Sequence, residues 1–143
     1  MHIRTGRLLT AVGAAVAVAL ALNACSSSSG PSSSSGSGSP TTPPSDAVST
    51  NTITINNNVV TPKNIKVARG SQVTFINNDT VAHEMFSDPH PDHTDCPEIN
   101  QVGFLSPGKS LQTGNMISNR SVCGFHDHGL PNVAGLQGSI TIQ

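Results

Sequence analysis

The chain contains no Trp and no Tyr, and only four Phe (Phe75, Phe86, Phe104 and Phe125) in 143 residues. That scarcity removes the stacking platforms used by single-strand nucleic-acid binders and the aromatic anchors of most protein-binding hot spots. A basic run is missing too: 7 Lys+Arg stand against 8 Asp+Glu, a formal net charge of −1. Nucleic-acid binding driven by phosphate neutralisation is thereby excluded. No nucleophile elbow, phosphate loop or carboxylate pair in a catalytic spacing occurs. What the chain has in excess is His: six residues, five of them between His83 and His128.

The first residues read as an address. His2, Arg4 and Arg7 precede 15 mostly apolar residues, Leu8 to Leu22. That run is shorter than the about 20 residues of a membrane span but suits the apolar region of an export signal. It ends in Leu22-Asn23-Ala24-Cys25, which resembles the bacterial lipobox. The resemblance implies a signal peptide over residues 1–24, cleaved before a lipidated Cys25. The protein is then expected in the cell envelope, anchored to a bacterial membrane by lipid and facing the periplasm or the exterior. Residues 25–49 hold 12 Ser, 3 Gly and 4 Pro in 25 positions. Such a composition cannot build a core and predicts a disordered tether, with a reach of about 25–30 Å as a coil. Loss of the signal leaves a net charge of −3.

From Thr50 the pattern changes to short alternating segments with turn residues between them. Thr52-Ile53-Thr54-Ile55 alternates with period two, as a half-buried strand does. Ile65 to Ala68, Val73 to Asn77, Val81 to Ser87, Ser121 to Phe125 and Ser139 to Ile142 read as further strands, and Pro107-Gly108 as a turn. No window in this region carries an apolar face at helical spacing for three turns. Residues 50–143 are therefore expected to form an all-β sandwich or small barrel. A domain of this size buries only about 60–65 % of its unfolded surface, so a metal or a disulfide adds noticeably to its stability. The stretch from Phe86 to Leu105 is rich in Pro, Asp and His. Its length predicts a functional loop covering one end of the sandwich.

Two segments carry the chemistry. One is Cys123-Gly124-Phe125-His126-Asp127-His128, followed by Leu136-Gln137-Gly138-Ser139-Ile140; the other is Asn77-Asn78-Asp79-Thr80-Val81-Ala82-His83. Their order and spacing resemble the cupredoxins, the plastocyanin- and azurin-like blue copper proteins, over the whole of residues 50–143. The resemblance implies a Greek-key cupredoxin-like β-sandwich with copper as cofactor. It also implies one-electron exchange with a redox partner protein rather than an enzyme reaction. It assigns His83, Cys123 and His126 as ligands, with His128 as the alternative second imidazole, and Asn77 as a hydrogen-bonding bridge between ligand loops. Two imidazoles and a thiolate suit copper on chemical grounds as well. Cys123 and His126, three apart, cannot share one strand face, so such a site requires a turning loop there; His126 and His128 share a face if the strand continues. Leu136 stands where the family has an axial Met and cannot ligate, which leaves Met85, Met116, His128 or a backbone oxygen for that position.

A second reading competes with this one. Once Cys25 is lipidated, Cys96 and Cys123 remain, and an even pair in an exported chain predicts a disulfide. If the long loop folds over the metal end, Cys123 is lost as a ligand. The site is then imidazole-only, made of His83, His126 and His128 with His90 or His93, in a copper-binding or copper-handling protein. The sequence leaves both open. His90 and His93 lie in Ser87-Asp88-Pro89-His90-Pro91-Asp92-His93-Thr94-Asp95 and are secondary candidates, with the Asp neighbours and Asp127 as acceptors that would orient imidazoles. Gly124-Phe125-His126-Asp127-His128-Gly129 also resembles the Gly-Phe-His-x-His signature of Cu/Zn superoxide dismutase. No His follows His128, so that enzyme reading ranks below the others, beside a metal-free interaction sandwich.

Overall fold

Alternation of apolar and polar side chains sets the strands, and long-range pairing sets their ends. The computed structural model describes residues 42–143. The expected signal peptide, Cys25 and the tether up to residue 41 lie outside the described residues. Ten strands follow in chain order: β1 Val48–Ser49, β2 Thr52–Asn56, β3 Val59–Thr61, β4 Asn64–Val67, β5 Thr74–Asn77, β6 His83–Ser87, β7 Gly103–Leu105, β8 Ser110–Gln112, β9 Val122–Asp127 and β10 Gly138–Ile142. One sheet has the order β1-β4-β10-β9-β6-β7 and the other β3-β2-β5-β8. Among the described residues, the remaining regular pieces are two short 3-10 turns, Ile99–Gln101 and Ala134–Leu136. The expected all-β sandwich is what forms. Among the described residues, no helix is long and apolar enough to cross a membrane.

In β2, β4, β5 and β6 every second residue is buried between the sheets. Ile53 and Ile55 of β2, Ile65 and Val67 of β4, Phe75 of β5, Met85 of β6, Phe125 of β9 and Ile140 of β10 form one buried cluster. Each such side chain contributes about 1.5–3 kcal/mol by leaving water. Phe75 and Phe125 meet edge to face across the sandwich with ring centroids 5.2 Å apart, the arrangement the aromatic quadrupole favours. The β2–β3 hairpin turns on Asn57 and Asn58, both at positive φ (53° and 57°), a conformation Asn tolerates better than most residues. The turn expected at Pro107-Gly108 closes with Lys109 N–H donating to the Ser106 carbonyl at 3.1 Å, and Gly108 supplies the required positive φ of 69°.

Four strands have no signature in the sequence. β1 lies inside the stretch read as tether: Val48 and Ser49 pair in parallel with Ile65 and Lys66, and Asp46 accepts from Asn64 Nδ2 at 3.0 Å. Two or three residues, as in β1, β3, β7 and β8, are too few for alternation to register. One difference decides the site. β9 runs to Asp127, two residues past the expected end at Phe125, because β6 pairs with it through Met85↔Asp127.

Candidate metal centre

The register Met85↔Asp127, Phe86↔His126 and Ser87↔Phe125 sorts the side chains by face. Residues two apart share a face. Cys123, Phe125 and Asp127 therefore point into the sandwich together with His83, Met85 and Ser87, while His126 stands on the outer face beside Phe86. The chain does not turn between Cys123 and His126, so these two cannot converge on one ion. Cys123 is moreover bonded to Cys96, and a disulfide sulfur is no thiolate. The expectation of Cys123 as a copper ligand is corrected on both counts.

His83 is corrected as well. It is buried on the inner face at the start of β6, and both of its ring nitrogens are engaged. Nδ1 lies 2.6 Å from Asp127 Oδ2 and Nε2 3.0 Å from Asp79 Oδ2. With a carboxylate oxygen against each ring nitrogen, His83 is held away from the outer face of the sheet and joins no cluster of imidazoles among the described residues. Asp127 is fixed in turn by the N–H groups of Gly129 and Leu130 at 2.9 and 3.2 Å, and Asp79 accepts from Asn57 and Asn58 in the β2–β3 turn. Burial raises the Asp79 pKa, but the hydrogen bonds from Asn58 N–H, His83 and Asn57 N–H outweigh it and hold the carboxyl below its ordinary 3.8. Asp127 thus orients His83, not His126 or His128.

The imidazoles that do converge are His90, His93, His126 and His128, each offering a nitrogen within 4.8 Å of the others. This group can hold a metal ion. β9 presents His126 and, one residue past its end, His128 on the outer face; the loop of residues 88–98 brings His90 and His93 over it. The Phe86 ring forms an apolar floor, 4.7 Å from the His93 ring and 5.5 Å from that of His128. His126 Nδ1 donates to Asp88 Oδ1 at 2.7 Å, which leaves Nε2 with its lone pair, buried and unpartnered. His93 Nδ1 donates to the Ser87 carbonyl at 2.9 Å, and its Nε2 faces His128 Nδ1 at 2.9 Å. His90 Nδ1 is also buried without a partner. Buried nitrogens without hydrogen bonds are uncommon, and these two face a donor set that suits a metal.

The loop is braced before any metal arrives. Asn100 accepts the Ser87 N–H at 2.9 Å and donates to the His93 carbonyl at 2.8 Å. His93 N–H donates to the Pro89 carbonyl at 2.8 Å. Together these hold His93 at a φ of 53°, a strained value for a residue with a Cβ and one that functional sites tend to keep. The Asp residues foreseen as orienting acceptors include Asp88, which takes that role toward His126. The expected Asn77 bridge runs elsewhere: its Nδ2 donates to the carbonyls of Val81 and Leu105 at 2.8 and 2.9 Å. Leu136, Met85 and Met116 are all buried in the core. His90 and His93 ranked as secondary candidates in the sequence; the signal that could have promoted them is the pairing of His90-x2-His93 with His126-x-His128.

Desolvation, and then the neighbouring imidazoles of His126, His128 and His93, push His90 below its ordinary pKa of 6.5, against a weaker pull from Asp92. A folded pKa below the unfolded one means that the unfolded chain takes up the proton first. The metal-free domain is therefore expected to lose stability as pH falls from 6.5 through the depressed value, and to keep it fully above 6.5. Thermal melts at pH 7.5 and 5.5 check this. Tm should be lower at pH 5.5, and His90→Ala should flatten the difference; an unchanged slope in that variant refutes the crowding of imidazoles.

No protein-family model matches the chain, and no curated protein matches it in sequence. Among solved structures it is similar to a purple cupredoxin from Nitrosopumilus maritimus, with 19 % identity over 64 % of this chain and 98 % of that one and a TM-score of 0.48. It is similar to plastocyanin from the fern Dryopteris crassirhizoma, with 18 % identity over 64 % and 99 % and a TM-score of 0.49. Auracyanin from Roseiflexus castenholzii aligns at 14 % identity over 67 % and 99 %, with a TM-score of 0.46.

Proposed function

We propose that this cupredoxin-like sandwich is a copper-binding protein whose site is made of imidazole alone: His90, His93, His126 and His128. The observation that carries this reading is the pair of buried, unpartnered nitrogens, His90 Nδ1 and His126 Nε2, inside a group of four converging imidazoles. Among divalent first-row metals a site of nitrogen donors binds Cu(II) most tightly. The chain's own residues do the rest. Asp88 and the Ser87 carbonyl hold the protons of His126 and His93 on Nδ1, so that each presents its Nε2 lone pair. Phe86 excludes water from one side.

Copper, when bound, supplies a one-electron couple, and one-electron transfer to a partner protein is the second reading. It is favoured by the bracing of His93 and His126 through Ser87, Asn100 and Asp88, which limits rearrangement between oxidation states. Neither reading makes the protein an enzyme. Export and a lipid anchor at Cys25 belong to the same proposal and are supported by the basic start, the short apolar run and the lipobox-like Leu22–Cys25. A site in the cell envelope would let a tethered domain exchange copper or electrons at the membrane surface.

Titration with Cu(II), followed by EPR, tests the reading. One equivalent should bind, with hyperfine splitting from several nitrogens. The solution should be pale, since the intense charge-transfer colour of a copper thiolate has no source here. A strongly coloured protein with a titratable thiol would overturn the imidazole-only site.

A further inference from the structure

We infer, resting on the four-imidazole reading, that the Cys96–Cys123 disulfide controls the copper affinity of the site: reduction of the bond releases the metal, and bound metal protects the bond. The ligands come in two pairs from two segments. His90 and His93 ride on the loop; His126 and His128 are presented by β9 and its end. The disulfide joins those same segments, with Cys96 three residues after His93 and Cys123 three residues before His126. Other ties between them are weaker. Asp88 N–H donates to the Gly124 carbonyl at 3.0 Å and its carboxylate holds His126. Asp95 pairs with Arg120 at 2.7 Å, but the Arg120 side chain is 43 % exposed, and such pairs contribute little.

Both cysteines are fully buried. A reductant therefore reaches the bond only when the loop lifts, and the same movement parts His90 and His93 from His126 and His128. One opening exposes the sulfurs and splits the metal site; metal held by both halves opposes it. With the bond intact, the second imidazole pair meets the metal at a high effective concentration, which is lost when the loop swings free. Coupling of this kind is reciprocal: a tenfold loss of metal affinity on reduction equals a tenfold stabilisation of the disulfide by metal, about 30 mV for a two-electron couple. The physiological reductant is a dithiol, which delivers two electrons and two protons to the Cys96 and Cys123 sulfurs and is itself left as a disulfide. Copper would thus be held in oxidising surroundings and surrendered where dithiols are available.

Two measurements on the full-length protein test this. In the first, Cu(II) affinity is found by chelator competition for the oxidised protein and for Cys96→Ser/Cys123→Ser, with circular dichroism reporting the sheets. The folded variant should bind at least about tenfold more weakly. In the second, a phosphine reduces the native bond: the S–S bond breaks, phosphorus supplies both electrons and becomes the oxide, and water provides its oxygen and the two thiol protons. Thiol release is timed with and without Zn(II), a redox-inert probe of the same donors. By stabilising the closed form, Zn(II) should slow release at least about tenfold in the native protein, and not in His90→Ala/His93→Ala. If the Ser variant loses its sheet signal, the phosphine measurement decides. Equal copper affinity in the folded Ser variant, or equal reduction rates with and without Zn(II), overturns the coupling. An oxidised native protein that binds no copper overturns the site itself.

Discussion

A His93→Ala/His126→Ala protein is expected to bind copper at least about a thousandfold more weakly than the native domain. Loss of an outer hydrogen-bond partner of a metal ligand costs about 10–100-fold, and loss of the ligand itself costs more. These two are the best-fixed imidazoles of the cluster, since each has Nδ1 committed to an acceptor, which leaves Nε2 for a metal. Asp88→Ala should fall between, about 10–100-fold weaker, because His126 keeps its place on β9 but loses the group that sets its tautomer. Chelator competition gives both values. Circular dichroism of the metal-free double variant should show the sheets intact, so that weaker binding reports the lost ligands; the two rings lie 5.1 Å apart between centroids in the native domain. Copper affinity unchanged by the double substitution would remove the cluster as the metal site.

His83→Leu is expected to act on stability and not on copper. The substitution leaves Asp79 and Asp127 facing an apolar side chain in place of their imidazole partner; their side chains are 9 % and 3 % exposed. Breaking a buried pair in this way costs about 3–5 kcal/mol, a large share of the about 5–15 kcal/mol that holds a domain together. Urea unfolding should show a large fall in midpoint at similar slope. The folded fraction should bind copper within about threefold of native, because His83 lies on the inner face of the sheet and the cluster on the outer one. His83→Leu/Asp127→Asn should recover part of the loss by removing one of the stranded charges. A variant of native stability with collapsed copper affinity would restore His83 as a ligand. The same triad gives an acid dependence. Asp79 is held below its ordinary 3.8, so its contribution is complete above that pH and is lost as pH falls through the depressed value.

Much of this was legible in the residues. The period-two runs at Thr52–Ile55 and Ser139–Ile142 specify strands with one buried face, and absent helical periodicity leaves only an all-β solution. An even pair of cysteines after Cys25 made a Cys96–Cys123 bond one of two open readings, and the length and composition of the stretch after Phe86 marked it as functional. The two-residue spacing of His126 and His128 already contained their shared face, conditional on the strand continuing. Only tertiary structure could meet that condition. Where β9 ends is set by its hydrogen bonds to β6, forty residues earlier in the chain, and a strand two residues longer turns a two-imidazole, one-thiolate site into four imidazoles on the opposite face of the sheet. The fate of His83 was equally hidden, since its partner Asp127 is 44 residues away and no local pattern records that they meet. Side-chain type and spacing state what a residue can do; which face it occupies and which partner reaches it first depend on register, and register is a property of pairs of strands.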